Sequence, residues 1–123
     1  MIDTAPMIEA GRIESELWLS FVSLLRSYFA VATLDSANAS LNADDRSITL
    51  AANAATLELL CDPATGAGKW TLRSADRSNE GRFTLQPDGT IALDGESNEI
   101  DMAAIDLVAA LMQAGLKQTG NPS

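Results

Sequence analysis

The period of the hydrophobic pattern changes twice along this chain, and those changes limit what it can fold into. From about residue 8 to 33 the apolar residues recur every three or four positions. Between 48 and 93 they alternate with polar ones, and from 99 to 114 the three-to-four spacing returns. A helical period lays apolar side chains along one helix face, whereas a period of two lays them on one face of a strand. The chain therefore reads as helix, strands, helix. Such segregation of elements is the mark of an α+β fold.

In the first periodic stretch Ile13, Leu17, Trp18, Phe21, Val22, Leu24, Leu25, Tyr28, Phe29 and Val31 fill one half of a helical wheel. Arg12, Glu16, Ser20, Ser23, Arg26 and Ser27 fill the other. Two residues break the pattern: Leu19 lies on the polar half, and Glu14 on the apolar half. Residues 35–45 have loop composition. Five short alternating runs follow, carrying Ile48, Leu50 and Ala52, then Leu57, Leu59 and Cys61, then Trp70 and Leu72, then Phe83 and Leu85, then Ile91 and Leu93. Turn signals separate them at Asn53-Ala54, Asp62 to Gly68, Arg77 to Gly81 and Pro87-Asp88-Gly89. The spacing predicts an antiparallel meander of about five strands with one greasy face, on which Trp70, Leu72, Phe83, Leu85, Ile91 and Leu93 are buried. A last helix follows, with Asn98 as N-cap and Gly115 as C-cap. Both helices then cover the same face of the sheet. The 123 residues form one domain, with residues 1–7 and 116–123 as flexible tails.

Charge and composition exclude several function classes. With 17 acids against 8 bases the net charge is −9, which repels phosphate backbones, so no nucleic acid is expected as a partner. Histidine is absent, which removes the usual general base and the commonest metal ligand. The single cysteine, Cys61, has no mate for an internal disulfide and is in phase with Leu57 and Leu59. It reads as a structural core thiol in a reducing, cytoplasmic setting. Leu17 to Leu34 is apolar, but Arg26 and the serines at 20, 23 and 27 argue against a membrane span. Ala37-Asn38-Ala39 has the form of an export cleavage site. The region before it carries Asp3, Glu9, Glu14 and Glu16 against Arg12, where a signal peptide needs a basic start, so export is not expected. The Asn38-Ala39-Ser40 sequon then has no consequence.

Two motif look-alikes fail at required positions. Ala67-Gly68-Lys69-Trp70 resembles the end of a phosphate loop, but Pro63 replaces its first glycine and Trp70 its magnesium-holding hydroxyl. Asp88-Gly89, set at the centre of a calcium loop, puts Thr84 and Gly95 where acids must stand. The acids Asp94, Glu96, Glu99 and Asp101 read as complements to the dipole of the last helix. No metal, cofactor or catalytic residue is expected.

Two surfaces remain as candidates. Lys69, Arg73, Arg77 and Arg82 are half of the basic residues and lie within 14 positions, which makes a weak anion patch conceivable, although Asp76 and Glu80 are interleaved. The first helix carries a wide apolar arc, and one small sheet face has to accommodate two such helices. Surplus apolar surface is therefore expected along Trp18, Leu19, Val22, Leu25 and Phe29, to be covered by a second copy in a two-fold dimer. These readings favour a non-enzymatic protein-interaction or chaperone-like adaptor acting as a homodimer. The alternative is a small-molecule or lipid carrier with an apolar pocket between helix and sheet.

Overall fold

The computed structural model describes residues 4–36, 38–75 and 77–119, with side chains from 13 to 114. In chain order there are a first helix α1 (Thr4–Ala32), seven strands β1 (Ala39–Ala43), β2 (Ser47–Ala52), β3 (Ala55–Cys61), β4 (Ala67–Arg73), β5 (Ser78–Leu85), β6 (Thr90–Leu93) and β7 (Glu96–Glu99), and a last helix α2 (Ile100–Thr119). The strands pair antiparallel with their sequence neighbours throughout, β1 to β7. The class is α+β, as the periodicity predicts.

The strand count corrects the sequence expectation from five to seven. β1 occupies what reads as loop, and β7 occupies the acidic run before α2. Asn98 is therefore a strand residue opposite Ile91 rather than a helix cap. Helix α1 starts at Thr4, inside the stretch expected as a tail. Helix α2 passes through Gly115, so that glycine does not end it. Residues 1–3 and 120–123 of the expected tails lie outside the described residues.

The hairpins show why the strands turn where they do. Asp94 and Gly95 both take left-handed φ, 49° and 94°, which is the two-residue turn whose twist suits a tight hairpin. The Asp94 carboxylate reinforces it, one oxygen accepting from the Arg82 amide at 2.9 Å and the other from the Trp70 indole at 3.2 Å. At Pro87-Asp88-Gly89 the Gly89 amide donates to the Gln86 carbonyl at 3.0 Å. The Asp88 carboxylate accepts from the Thr90 amide, at 3.1 Å, in the same turn.

Register places one set of side chains on a single face. Leu41 stands opposite Leu50, Leu50 opposite Leu57, Leu57 opposite Leu72, Leu59 opposite Trp70, Phe83 opposite Leu93 and Leu85 opposite Ile91. Two glycines on this face make room for aromatic rings. Gly68 faces Phe83 and Gly81 faces Trp70 across the β4–β5 pair, and a methyl group on either would overlap its partner's ring. Phe83, Leu85 and Ile91 are buried as expected. Trp70, Leu72 and Leu93 share the phase but are only half-buried, which corrects the expectation of full burial. The opposite face is polar, with Thr49, Glu58, Lys69, Thr71, Arg73, Glu80, Arg82 and Thr84, and it carries one exposed leucine, Leu60.

The core lies between this sheet face and the helices. From α1 it takes Trp18, Phe21, Val22, Leu25 and Phe29, and from α2 Ala103, Ala104, Leu107, Val108 and Leu111. Helix α2 starts beside β6 and β7 and reaches across to β2 and β3, while α1 packs on α2 and on β5. Phe83 is the hub. It stacks on Trp18 at 6.3 Å between ring centroids and meets Phe21 edge-on at 6.2 Å. The Trp18 indole N–H donates to the Asp45 carbonyl at 3.0 Å, so the buried ring leaves no polar atom unpaired. Among the described residues, no helix is long and apolar enough to cross a membrane.

Candidate binding surfaces

The expected dimer face is corrected first. Trp18, Val22, Leu25 and Phe29 are all buried inside the subunit, between 0% and 8% exposed. The physical reason is that α1 packs against α2 and against β5, where Trp18 and Phe21 meet Phe83, so these side chains are covered within one chain. Only Leu19, 65% exposed, remains on the surface of that set. Between α1 and the sheet, where the carrier alternative puts its pocket, aromatic side chains are in contact with one another, Trp18 and Phe21 both against Phe83.

The four bases of the possible anion patch are brought onto one hairpin. Lys69 and Arg82 stand directly opposite each other on the outer face of β4 and β5, and Arg73 stands opposite Ser78 at the far end. Arg77 lies in the connecting turn. Arg73, Ser74, Ala75, Arg77 and Ser78 line a shallow depression of about 330 Å³. Lys69 is paired with Glu80 at 3.3 Å, with both side chains more than half exposed, so this pair contributes little to stability. Asp76, the other interleaved acid, lies outside the described residues. Like charges set directly opposite, as Lys69 and Arg82 are, work against the sheet. The depression is open to water, and water screens such charges within about 8 Å at physiological salt.

Two of the four acids around the start of α2 have separate hydrogen-bonding roles. Asp94 holds the β6–β7 turn, and Asp101 accepts from the Tyr28 hydroxyl at 2.6 Å, a bond that holds the Tyr28 phenol above its usual titration range. Among the described residues no group of three or more carboxylate or thiol side chains converges as a metal cage. Cys61 is buried on the core face of β3, and burial, with a smaller effect from the Asp62 charge, pushes its thiol up to about 11. Such a thiol is a poor nucleophile at neutral pH. Glu14, the acid on the apolar side of α1, packs against the loop glycine Gly66, and its Oε1 is buried with no hydrogen-bond partner among the described residues.

One surface was not legible in the sequence. The sheet is open, so β1 and β7 are its edges. The hydrogen-bonding phase of β1 is fixed by two flanking bonds, Asn53 N–H to the Asn38 carbonyl at 3.1 Å and Asp44 N–H to the Ser47 carbonyl at 2.9 Å. With the observed register, Ser40 and Asn42 then spend their main-chain groups on β2, and Ala39, Leu41 and Ala43 direct theirs outward. Natural proteins guard such edges with lysine, proline, bulges, very short strands or a covering segment. The strand β7 is guarded in this way, at four residues with Glu96 and Glu99 in it. By contrast β1 is five residues long, Ala-Ser-Leu-Asn-Ala, and carries no charge and no proline. Ala39, Ser40 and Asn42 are exposed, and Leu41 and Ala43 are half-buried at the margin of the core. No known family model, no characterised protein and no solved structure matches this chain.

Proposed function

We propose that this protein is a non-enzymatic interaction module, adaptor-like in use, that binds by strand addition at the β1 edge of the sheet and acts as a homodimer. The observation that carries the reading is the contrast between the two sheet edges: β7 is short and acidic, while β1 is uncharged and has three residues with outward main-chain groups. An extended segment laid on such an edge gains main-chain hydrogen bonds regardless of its sequence, and alternate side chains set specificity. Each bond contributes a net of about 0.5–1.5 kcal/mol. A buried free thiol with no partner cysteine suits a reducing, cytoplasmic setting. The carrier alternative draws no support from an interval between helices and sheet that aromatic and aliphatic side chains occupy.

The test is a titration of labelled protein with a short synthetic Thr/Val peptide, read by amide chemical shifts. Shifts should concentrate at Ala39, Leu41 and Ala43, and in an Ala39→Pro variant those at Leu41 and Ala43 should require about 2- to 10-fold more peptide. Proline is tolerated at the first residue of an edge strand, and here it removes one outward donor. In protein that sediments as a 13.0 kDa monomer, absence of shifts at these three amides at millimolar peptide, or shifts that Ala39→Pro leaves unchanged, would refute strand addition.

A further inference from the structure

We infer that the segment seated on β1 is the β1 strand of a second copy, running antiparallel about a two-fold axis through Leu41; this rests on the strand-addition reading above. The outward groups belong to Ala39, Leu41 and Ala43. An antiparallel pair centred on Leu41 sets Leu41 opposite Leu41 and Ala39 opposite Ala43 of the other copy. Every outward N–H and C=O of the strand then has a mate, giving six main-chain hydrogen bonds across the axis. A shift by one residue would put outward groups opposite inward ones, and a shift by two would leave an end unpaired.

The side chains agree with this register. On the core face the half-buried Leu41, which already packs against the core, meets its own copy, and alanines flank the pair on either side. The apolar face of one sheet thereby continues into the other. On the outer face Ser40 comes opposite Asn42, polar against polar, and both are exposed. No like charges stand opposite within the strand, which carries none. The acids just beyond it, Asp44 and Asp45, fall at opposite ends of the pair in the two copies. The Asp44 carboxylate is also turned into its own hairpin, where Oδ1 accepts from the Arg46 amide, the Ser47 amide and the Ser47 hydroxyl at 2.9–3.0 Å. A partner of unrelated sequence would have to supply this complementarity, whereas a second copy has it by symmetry.

Sedimentation equilibrium from about 1 to about 200 µM reads the association directly. A species of about 26 kDa is expected, twice the 13.0 kDa chain. Ala39→Pro, which deletes two of the hydrogen bonds across the axis, should weaken association by roughly 10- to 100-fold while leaving the circular-dichroism spectrum unchanged. The register is read by cysteine pairs: Ser40→Cys together with Asn42→Cys should cross-link the two copies on mild oxidation, because the two positions face each other at about 4.5 Å between Cα atoms. Either substitution alone should not cross-link. A 13.0 kDa species at every concentration would overturn the self-pairing. If that monomer still takes up the Thr/Val peptide at β1, the strand-addition reading survives alone; if it does not, both fall. A dimer indifferent to Ala39→Pro and without the double-cysteine cross-link would mean that another face joins the copies, and would also overturn the inference.

Discussion

Phe83→Ala is the substitution that most directly probes how this fold is held together. Phe83 is 2% exposed and sits between Trp18 and Phe21 of α1, so its ring joins helix to sheet. Replacing a buried aromatic by alanine costs about 3–5 kcal/mol, and the cost rises when the site cannot collapse into the space. Collapse is hindered here because the residue opposite on β4 is Gly68, which has no side chain to move in. The upper part of the range, about 4–5 kcal/mol, is therefore expected. A domain of this size is stable by about 5–15 kcal/mol, so the loss removes from about a third to nearly all of that stability. With a urea dependence of about 2 kcal/mol per molar, the unfolding midpoint should fall by about 2 M. Urea titration followed by circular dichroism measures it, with Thr84→Ala as control. Thr84 is the next residue, exposed on the outer face, and its truncation should cost no more than about 1 kcal/mol. A loss below about 1.5 kcal/mol for Phe83→Ala, or a larger loss for Thr84→Ala, would show that the faces of β5 are assigned the wrong way round.

Other substitutions test separate parts of the structure. Trp18→Asp combined with Val22→Asp should abolish folding, because both side chains are buried and the new charges have no partner; a folded variant with altered oligomeric state would return those residues to the surface. Asp94→Ala removes the acceptor for the Arg82 amide and the Trp70 indole and forces alanine into left-handed φ, so a loss of about 1–3 kcal/mol is expected, and an unchanged thermal midpoint would refute the role given to this turn. The Cys61 thiol is raised in the folded protein from 9.0 to about 11, so the folded state favours the neutral form: stability is intact below pH 9 and should decline as pH climbs from there towards 11. Urea midpoints across that window should fall less steeply in Cys61→Ala; Tyr28, also raised, titrates in the same direction and accounts for part of the remaining slope.

The sequence by itself determined the helix–strands–helix order, the fold class and the faces of the strands it revealed; in α2 Ala103 is buried and Ile105 exposed, the reverse of what the helical period suggests. Ile48, Leu57, Phe83 and Ile91 lie where their alternation puts them, because the pleat of a strand sends every second side chain the same way. The apolar side of α1 was legible through Trp18, Phe21, Val22, Leu25 and Phe29, although Ile13 and Val31 on the same half of the wheel are exposed, and the side of the sheet that meets water was legible too. The two edge strands were not. Ala-Ser-Leu-Asn-Ala and Glu-Ser-Asn-Glu lack the β-branched and aromatic residues that announce a strand, and each becomes one through pairing with β2 or β6. The Asp94-Gly95 dipeptide is a strong hairpin signal, but the acids after it show no alternation, so it reads first as helix-terminal charge. Packing of α1 on α2 and β5 buries Trp18, Val22 and Phe29 within one chain, which removes the α1 face as a dimer surface. The missed strands put β1 at the sheet edge, and no periodicity could reveal its outward N–H and C=O groups. Which main-chain groups remain unpaired depends on hydrogen bonds between residues distant in sequence, and only the tertiary structure settles those.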